Sequence, residues 1–136
     1  MSLLKVTGQC HCGKISYEAV LDTEKVSICH CTDCQMLTGS AYRVSVPVPK
    51  EDFRLFRGEP KVYIKTADSG NKRAHTFCPD CGTPIHSSSV LNPTAYSLRV
   101  GCLDEREQLP PKRQNWCKSA VSWSMNLEQI PQNQGQ

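Results

Sequence analysis

Apolar and polar residues alternate in several short runs of the sequence, each bounded by Gly, Pro, Asn or Asp. In residues 14–20, for example, Ile15, Tyr17 and Ala19 occupy every second position. A period of two residues is typical of a β-strand with one buried face. The other predicted strands cover residues 41–48, 60–65, 73–77, 84–89 and 95–100. These runs favour a small antiparallel, mainly β fold over alternating strand and helix units.

Helix is predicted in one place only. Residues 32–38 contain neither Gly nor Pro, Thr32 can act as the N-cap, and Gly39 supplies a stop signal. Asp33 then falls in the first turn, where a negative charge interacts favourably with the helix dipole. One helix of a turn or two agrees with a fold that contains little helix.

The length of the chain limits its organisation. With 136 residues, the chain is expected to form one domain over residues 1–129, followed by a disordered polar tail over residues 130–136. The first residues contain no apolar stretch of the length that a signal peptide or a membrane span needs. We therefore expect a cytoplasmic protein without a membrane partner.

The composition indicates that the apolar core is modest. Hydrophobic residues make up 38% of the chain, and the count includes nine cysteines. In a reducing compartment clustered thiols bind metal or react, whereas disulfide frameworks belong to secreted chains. The sequence therefore predicts metal sites that help to hold the fold together.

Seven of the cysteines form three groups with short internal spacing. The groups are Cys10 with Cys12, then Cys29, Cys31 and Cys34, then Cys78 with Cys81. A structural zinc ion is held by four ligands in a tetrahedron, so a single pair of cysteines supplies only half of a site. The two pairs together complete one, and we predict a structural zinc site on Cys10, Cys12, Cys78 and Cys81.

Two interpretations stay open for the remaining group, Cys29, Cys31 and Cys34. A zinc ion with three protein ligands keeps an open fourth position for water or substrate, as in catalytic sites. Alternatively, a second structural site is completed by a fourth ligand, which would be His30, Cys102 or Cys117.

Several single residues are weighed for further roles. His30 lies between two predicted ligands, so we expect its ring to point away from the metal. Cys102 and Cys117 are expected to be small buried apolar residues. His75 and His86 lie in predicted strands, where we expect half-exposed side chains that serve as a general base only if one lies beside an open metal site.

The charge of the chain argues weakly against a nucleic-acid partner. The formal net charge is +3, and the positive residues are scattered along the sequence. Binding of two zinc ions by seven thiolates would bring the formal charge to about zero. The chain then lacks the basic surface with interleaved aromatic residues on which nucleic-acid binding depends.

Three cysteine motifs occur in a fixed order along the chain. They are Gly8-Gln9-Cys10-His11-Cys12-Gly13, Cys29-His30-Cys31-Thr32-Asp33-Cys34-Gln35 with Gly39, and Phe77-Cys78-Pro79-Asp80-Cys81-Gly82-Thr83. Their order and spacing resemble those of the glutathione-dependent formaldehyde-activating enzyme family, which includes centromere protein V. The resemblance extends from Gly8 to Trp123.

This resemblance implies a β-tent fold with two zinc ions per chain. It implies a structural zinc on Cys10, Cys12, Cys78 and Cys81, and a catalytic zinc on Cys29, Cys31 and Cys34. The implied activity is that of a carbon–sulfur lyase, which joins formaldehyde to the thiol of glutathione and gives S-hydroxymethylglutathione. The implied partner is therefore a small thiol. Gln35 departs from the family, since many members carry Arg at this position.

Two other functions compete with this one. The segment Trp116-Cys117-Lys118-Ser119-Ala120 faintly resembles the catalytic strand of methionine sulfoxide reductase B, another β-tent family, which would make Cys117 a nucleophile. In the other alternative both zinc sites are structural, and the domain is a non-catalytic binding module.

Overall fold

The computed structural model describes residues 1–136, and its regular structure consists of ten strands and one α-helix. The helix, α1, spans Thr32–Thr38. The strands are β1 (Leu3–Gln9), β2 (Ser16–Asp22), β3 (Ser27–Cys29), β4 (Arg43–Pro49), β5 (Phe53–Arg57), β6 (Lys61–Thr66), β7 (Lys72–Phe77), β8 (Pro84–Ser89), β9 (Ala95–Arg99) and β10 (Arg113–Asn115). Five one-turn 3-10 helices lie between or after them.

The strands form two sheets. The larger sheet has the order β10-β3-β4-β9-β8-β7-β6, and the smaller sheet has the order β1-β2-β5. Neighbouring strands are antiparallel throughout, with the exception of β10, which pairs with β3 in parallel. The prediction of a mainly β fold with little helix is confirmed.

The hydrophobic core lies between the two sheets, where β2 contacts β4. Tyr17 and Ala19 of β2 are buried there against Val46, Val48 and Leu98 of the larger sheet. The predicted alternation is confirmed, because Ile15, Tyr17 and Ala19 are all buried while the intervening residues are partly exposed. Alternation of this kind leaves the second face of each sheet outside the core.

The other face of the larger sheet carries polar side chains. Residues that pair directly across an antiparallel ladder point to the same face. Tyr63 pairs with His75, His75 pairs with Ser87, and Ser87 pairs with Ser97. These four side chains form a row across β6, β7, β8 and β9, and we call this side of the sheet the polar face.

Helix α1 lies over the polar face and covers the predicted residues 32–38, but its N-cap lies one residue earlier than the sequence suggested. The N-cap is Cys31, whose Sγ accepts a hydrogen bond from the backbone N–H of Cys34, so the prediction of Thr32 as the cap was wrong. Gly39 ends the helix with a left-handed φ of 64°, as predicted. An ion pair between Asp33 in the first turn and Lys65 ties the helix to β6.

The sequence pattern did not predict strands β1, β3, β5 and β10. Strands β3 and β10 have three residues each, which is too short for a periodic pattern to be recognised. In β5 four of the five side chains are exposed, so the burial that produces alternation is missing.

Residues 130–136 contain neither helix nor strand. No helix in the structure is long and apolar enough to cross a membrane.

Candidate metal centres and catalytic site

The first cysteine cluster brings together two segments that are far apart in the sequence. The sulfur atoms of Cys10, Cys12, Cys78 and Cys81 all lie within 4.8 Å of one another. The Sγ atoms of Cys10 and Cys12 are 3.6 Å apart, and those of Cys12 and Cys78 are 3.8 Å apart. A tetrahedral zinc site with Zn–S bonds of about 2.3 Å separates its sulfurs by about 3.8 Å. The four thiols therefore fit a zinc ion.

Two similar turns present these thiols. The backbone N–H of Gly13 donates to the carbonyl of Cys10 at 3.0 Å, and that of Gly82 donates to the carbonyl of Cys78 at 2.9 Å. Both glycines have left-handed φ values near +80°, which residues with a side chain rarely adopt. Each turn therefore depends on a glycine directly after the second cysteine.

Hydrogen-bond donors lower the pKa of two of the four thiols, Cys10 and Cys81, and so favour the thiolate, which is the form that binds zinc. A backbone hydrogen bond lowers the pKa of Cys12, but burial and the neighbouring thiols outweigh it and raise that pKa to about 11. The Thr83 hydroxyl lies 3.2 Å from the Sγ of Cys81 and lowers the pKa of that thiol to about 5. Burial of Cys10 opposes ionisation, but a hydrogen bond from the backbone N–H of Ile15 and contacts with the neighbouring sulfurs lower its pKa.

The second cluster contains three sulfurs and no fourth ligand. Those of Cys29, Cys31 and Cys34 lie within 4.8 Å of one another, and no further His, Cys, Asp or Glu joins the group. Cys29 is the last residue of β3, Cys31 caps α1, and Cys34 lies in the first turn of the helix. The local turn from strand to helix therefore assembles the whole cluster.

The surroundings of the second cluster shift the pKa values of Cys31 and Cys34 in opposite directions. Burial raises the pKa of Cys34 to about 12, although the positive charge of Arg43 acts in the opposite direction. At Cys31 burial also opposes ionisation, but the hydrogen bond from the N–H of Cys34, at 3.4 Å, and the other two thiols lower its pKa. In the absence of metal, Cys31 therefore ionises before Cys34.

None of the three residues considered as a fourth ligand joins the second cluster. His30 is fully buried, and its Nε2 lies 2.7 Å from the Oε1 of Gln114, as expected of a ring that points away from the thiols. The half-buried Cys102 donates its thiol hydrogen to the carbonyl of Pro84.

The prediction that Cys117 is buried was wrong. Its side chain is exposed in a surface 3-10 turn over Cys117–Ser119, beside Trp116, which is also exposed and has a left-handed φ of 59°. The apolar character of a cysteine did not decide its burial here, because residues 110–118 are all exposed at the surface.

Gln35 joins the second cluster to the C-terminal segment. Its Nε2 donates to the carbonyl of His30 at 2.8 Å and to the carbonyl of Ser119 at 3.0 Å. This partly buried side chain therefore has a positioning role, because it ties the turn of the second cluster to the C-terminal segment.

We expect the substitution Gln35→Leu to lower the free energy of unfolding by about 1–3 kcal/mol, because it removes two hydrogen bonds at about 0.5–1.5 kcal/mol each. Urea unfolding followed by circular dichroism measures the change. The control Gln132→Leu alters an exposed tail residue and should leave the midpoint unchanged. An unchanged midpoint for Gln35→Leu would contradict the role of this side chain.

Between the two clusters lies a cavity of about 170 Å³. It is lined by residues of α1 and of the larger sheet, together with Gly82 from the turn of the first cluster: Leu37, Arg43, Tyr63, His75, Thr76, Phe77, Gly82, Pro84, His86 and Arg99. The strand register explains why Arg43 and Arg99 meet. Arg99 pairs with Ser45, so Arg43, two residues before Ser45, points to the same face.

The same register places the second cluster beside this cavity. Cys29 pairs directly with Arg43, and residues paired in an antiparallel ladder have Cα atoms about 4.5–5.5 Å apart. Arg99 is two residues after Ser97 and therefore extends the row of side chains on the polar face. A molecule in the cavity would lie next to the three thiols.

The titratable groups of the cavity have shifted pKa values. Burial and then the nearby arginine charges lower the pKa of His75 to about 4, and burial with the charge of Arg99 lowers that of His86 to about 4. Both imidazoles are therefore neutral near pH 7. Burial and the charge of Arg43 lower the pKa of Arg99 to about 9, so this guanidinium stays protonated.

Sequence reasoning did not identify the two arginines. Their only local signal is that each is a charged residue next to apolar residues in a strand, Arg43 before Val44 and Arg99 after Leu98. Such a position is equally typical of an exposed strand face.

The half-exposed state predicted for His75 and His86 is confirmed, and both residues line the cavity.

Comparisons with known proteins agree with the fold and with the motifs. The fold is similar to that of a Rhodobacter sphaeroides protein of known crystal structure, with a TM-score of 0.62 and 23% sequence identity over 80% of this chain and 99% of that chain. Residues 5–119 match the sequence profile of a family described as glutathione-dependent formaldehyde-activating enzyme. This match covers most of the sequence and all seven clustered cysteines, and the chain therefore belongs to the glutathione-dependent formaldehyde-activating enzyme family.

Proposed function

We propose that this protein is a zinc-dependent carbon–sulfur lyase that interconverts S-hydroxymethylglutathione with formaldehyde and glutathione. Membership of the family supports glutathione and formaldehyde as the substrate class. The observation that carries the proposal is the contrast between the two clusters, one with four sulfurs and one with three. A site with three protein ligands leaves a coordination position for substrate.

The two clusters have different roles in this proposal. Cys10, Cys12, Cys78 and Cys81 hold a structural zinc that takes no part in the reaction. Cys29, Cys31 and Cys34 would hold the catalytic zinc, which would supply a positive centre that stabilises a substrate thiolate or polarises an aldehyde carbonyl. In the direction of adduct formation the thiol gives up its proton and its sulfur bonds to the carbonyl carbon, while the C=O double bond becomes a single bond and the oxygen gains a proton.

The residues around the three thiols prepare this site for two reactants. The Cys31 cap and the Gln35 hydrogen bonds fix the turn that carries the ligands, so the site is formed before substrate arrives. Leu37 on one side and the sheet on the other border the adjoining cavity. Because seven thiolates have to stay reduced, we propose a cytoplasmic location.

The activity is tested with zinc-loaded protein, ¹³C-formaldehyde and glutathione. Exchange NMR reports how fast the label moves between free formaldehyde and the thiol adduct, and the protein is expected to accelerate this exchange above the spontaneous rate. If protein that carries two zinc ions leaves the rate unchanged, the lyase function is rejected, and the domain is better explained as a zinc-stabilised binding module.

Chelation should separate the two sites. We expect about two zinc ions per chain, with the ion of the three-thiol site lost first to a mild chelator because it has one ligand fewer. At that stage the acceleration disappears while the far-ultraviolet circular dichroism stays native, and added zinc restores activity. Elemental analysis at each step provides the count. Simultaneous loss of both ions, or activity that survives removal of one ion, would contradict these roles.

A further inference from the structure

Two buried arginines border the cavity without an acidic partner. Arg43 is 9% exposed and Arg99 is 6% exposed. The ion pairs of the structure are Lys5 with Glu18, Lys14 with Asp80, and Lys65 with Asp33, so no arginine takes part in one. The residues that line the cavity include no Asp or Glu. Buried charges are normally paired, because an unpaired charge in the protein interior is strongly unfavourable.

Hydrogen-bonding groups without partners are also concentrated at this cavity. Six buried side-chain nitrogen or oxygen atoms have no hydrogen-bond partner, and four of them belong to cavity residues. Three of them, Nε of Arg43, Nε of Arg99 and Nε2 of His75, belong to the polar face, whereas Nδ1 of His86 belongs to a ring that packs against Tyr96 and Phe53 on the opposite face. Since the great majority of buried polar groups in proteins are satisfied, such a concentration marks a place where a ligand supplies the partners.

The charge of the neighbouring metal site does not balance these arginines. Three thiolates and one zinc ion carry one negative charge in total, whereas Arg43 and Arg99 carry two positive charges. Arg73 adds a third, because it lies two residues before His75 and therefore on the same polar face. At least one positive charge is left for an anion.

The size and the geometry of the cavity restrict the anion. A volume of about 170 Å³ is below the roughly 300–1,000 Å³ of pockets that enclose drug-sized ligands. A carboxylate on a short carbon stem fits such a space, and the rest of a larger substrate would lie outside it. Guanidinium groups match the planar carboxylate with two parallel hydrogen bonds.

We propose that this cavity is a carboxylate-binding subsite, in which Arg43 and Arg99 hold a carboxylate of the substrate while its reacting group lies at the Cys29, Cys31 and Cys34 site. The inference rests on the proposed function for the identity of the reaction, but the binding of a carboxylate is independent of it. Two sources can bring this group. It is either a carboxylate of the thiol, as in glutathione, or a carboxylate of a short aldehyde acid such as glyoxylate.

Binding is tested without turnover by NMR titration of zinc-loaded protein with acetate and with glyoxylate. The side-chain Nε–H resonances of Arg43 and Arg99 are expected to shift saturably, whereas acetamide, the neutral analogue, leaves them unchanged. In Arg99→Gln we expect the affinity to fall about tenfold or more, because a charge-assisted pair is lost. The matched control Arg54→Gln removes the same charge from an exposed position on β5 and should bind like wild type.

Arg99→Lys provides a second variant that keeps the charge and loses the planar fork, and it should bind more weakly than wild type and more tightly than Arg99→Gln. The proposal is overturned if neither carboxylate produces a saturable shift in wild-type protein with two zinc ions bound. It is also overturned if Arg99→Gln and Arg54→Gln have the same affinity as wild type.

Kinetics then identify the source of the carboxylate. If the thiol brings it, the diethyl ester of glutathione has a KM about tenfold or more above that of glutathione in wild type, and Arg99→Gln removes this difference. If the aldehyde brings it, glyoxylate is preferred over formaldehyde and Arg99→Gln removes that preference. Carboxylate binding without any turnover would reject the lyase function and keep the subsite, whereas turnover without carboxylate binding would do the reverse.

Discussion

The substitution Cys31→Ser is expected to abolish the acceleration of S-hydroxymethylglutathione formation while the chain stays folded. Serine is a strong N-cap, so the start of α1 is preserved when the sulfur is replaced. The hydroxyl is a poor zinc ligand, and the two remaining thiols do not hold the ion in a defined geometry. Loss of a residue that merely hydrogen-bonds to a metal ligand lowers metal affinity or activity by about 10–100-fold. Loss of a ligand itself should therefore lower the rate by about 100-fold or more.

This experiment combines a rate with a metal count. Exchange NMR gives the rate, elemental analysis should find one zinc per chain where wild type has two, and circular dichroism should remain native. Cys117→Ser is the matched control, because it makes the same change at an exposed cysteine outside both clusters. Unchanged turnover in Cys31→Ser would remove the three-thiol site from the mechanism, and loss of turnover in Cys117→Ser would favour chemistry at that residue.

The substitution Cys78→Ser is expected to have the largest effect on stability. Cys78 is completely buried, and its sulfur lies in the four-thiol cluster that joins the turn after β1 to the turn after β7. Structural zinc sites contribute about 10–16 kcal/mol of binding free energy, and whole domains are stable by about 5–15 kcal/mol. We therefore expect a variant that is largely unfolded at 25 °C.

Unfolding by urea, with and without a strong chelator, separates the loss of zinc from the loss of core packing. In wild type the chelator should lower the free energy of unfolding by about 5 kcal/mol or more. In Cys78→Ser the circular dichroism should be that of a largely unfolded chain both with and without the chelator, whereas Cys117→Ser should respond to the chelator as wild type does. A wild-type protein that is equally stable with and without chelator would contradict a structural zinc in this cluster.

Much of the fold was accessible from the sequence because the signals are local. The burial of Ile15, Tyr17 and Ala19 follows from a two-residue period that the chain displays directly. The end of α1 follows from Gly39, which adopts the left-handed conformation that the stop requires. The grouping of the four distant thiols could be predicted because zinc needs four ligands and only two cysteine pairs were available.

Other parts depend on contacts that no local pattern records. Arg43 and Arg99 meet because β4 pairs with β9, and nothing in either strand specifies that register. The cap of α1 was assigned to Thr32 because hydroxyl side chains are the usual caps, yet a cysteine that sits one residue earlier takes this role. Cys117 was expected to be buried on the average behaviour of its residue type, which a surface turn overrides.

The two clusters differ in the length of chain that each one closes, and this difference has a consequence for how the protein matures. Cys12 and Cys78 are 66 residues apart, so their cluster cannot form until the entropy of closing a long loop has been overcome. Cys29 and Cys34 are only five residues apart, so we expect their cluster to bind an ion while the rest of the chain is unfolded. During synthesis or refolding we therefore expect the three-thiol site to acquire metal first, although it is the site that releases metal first once the protein is folded.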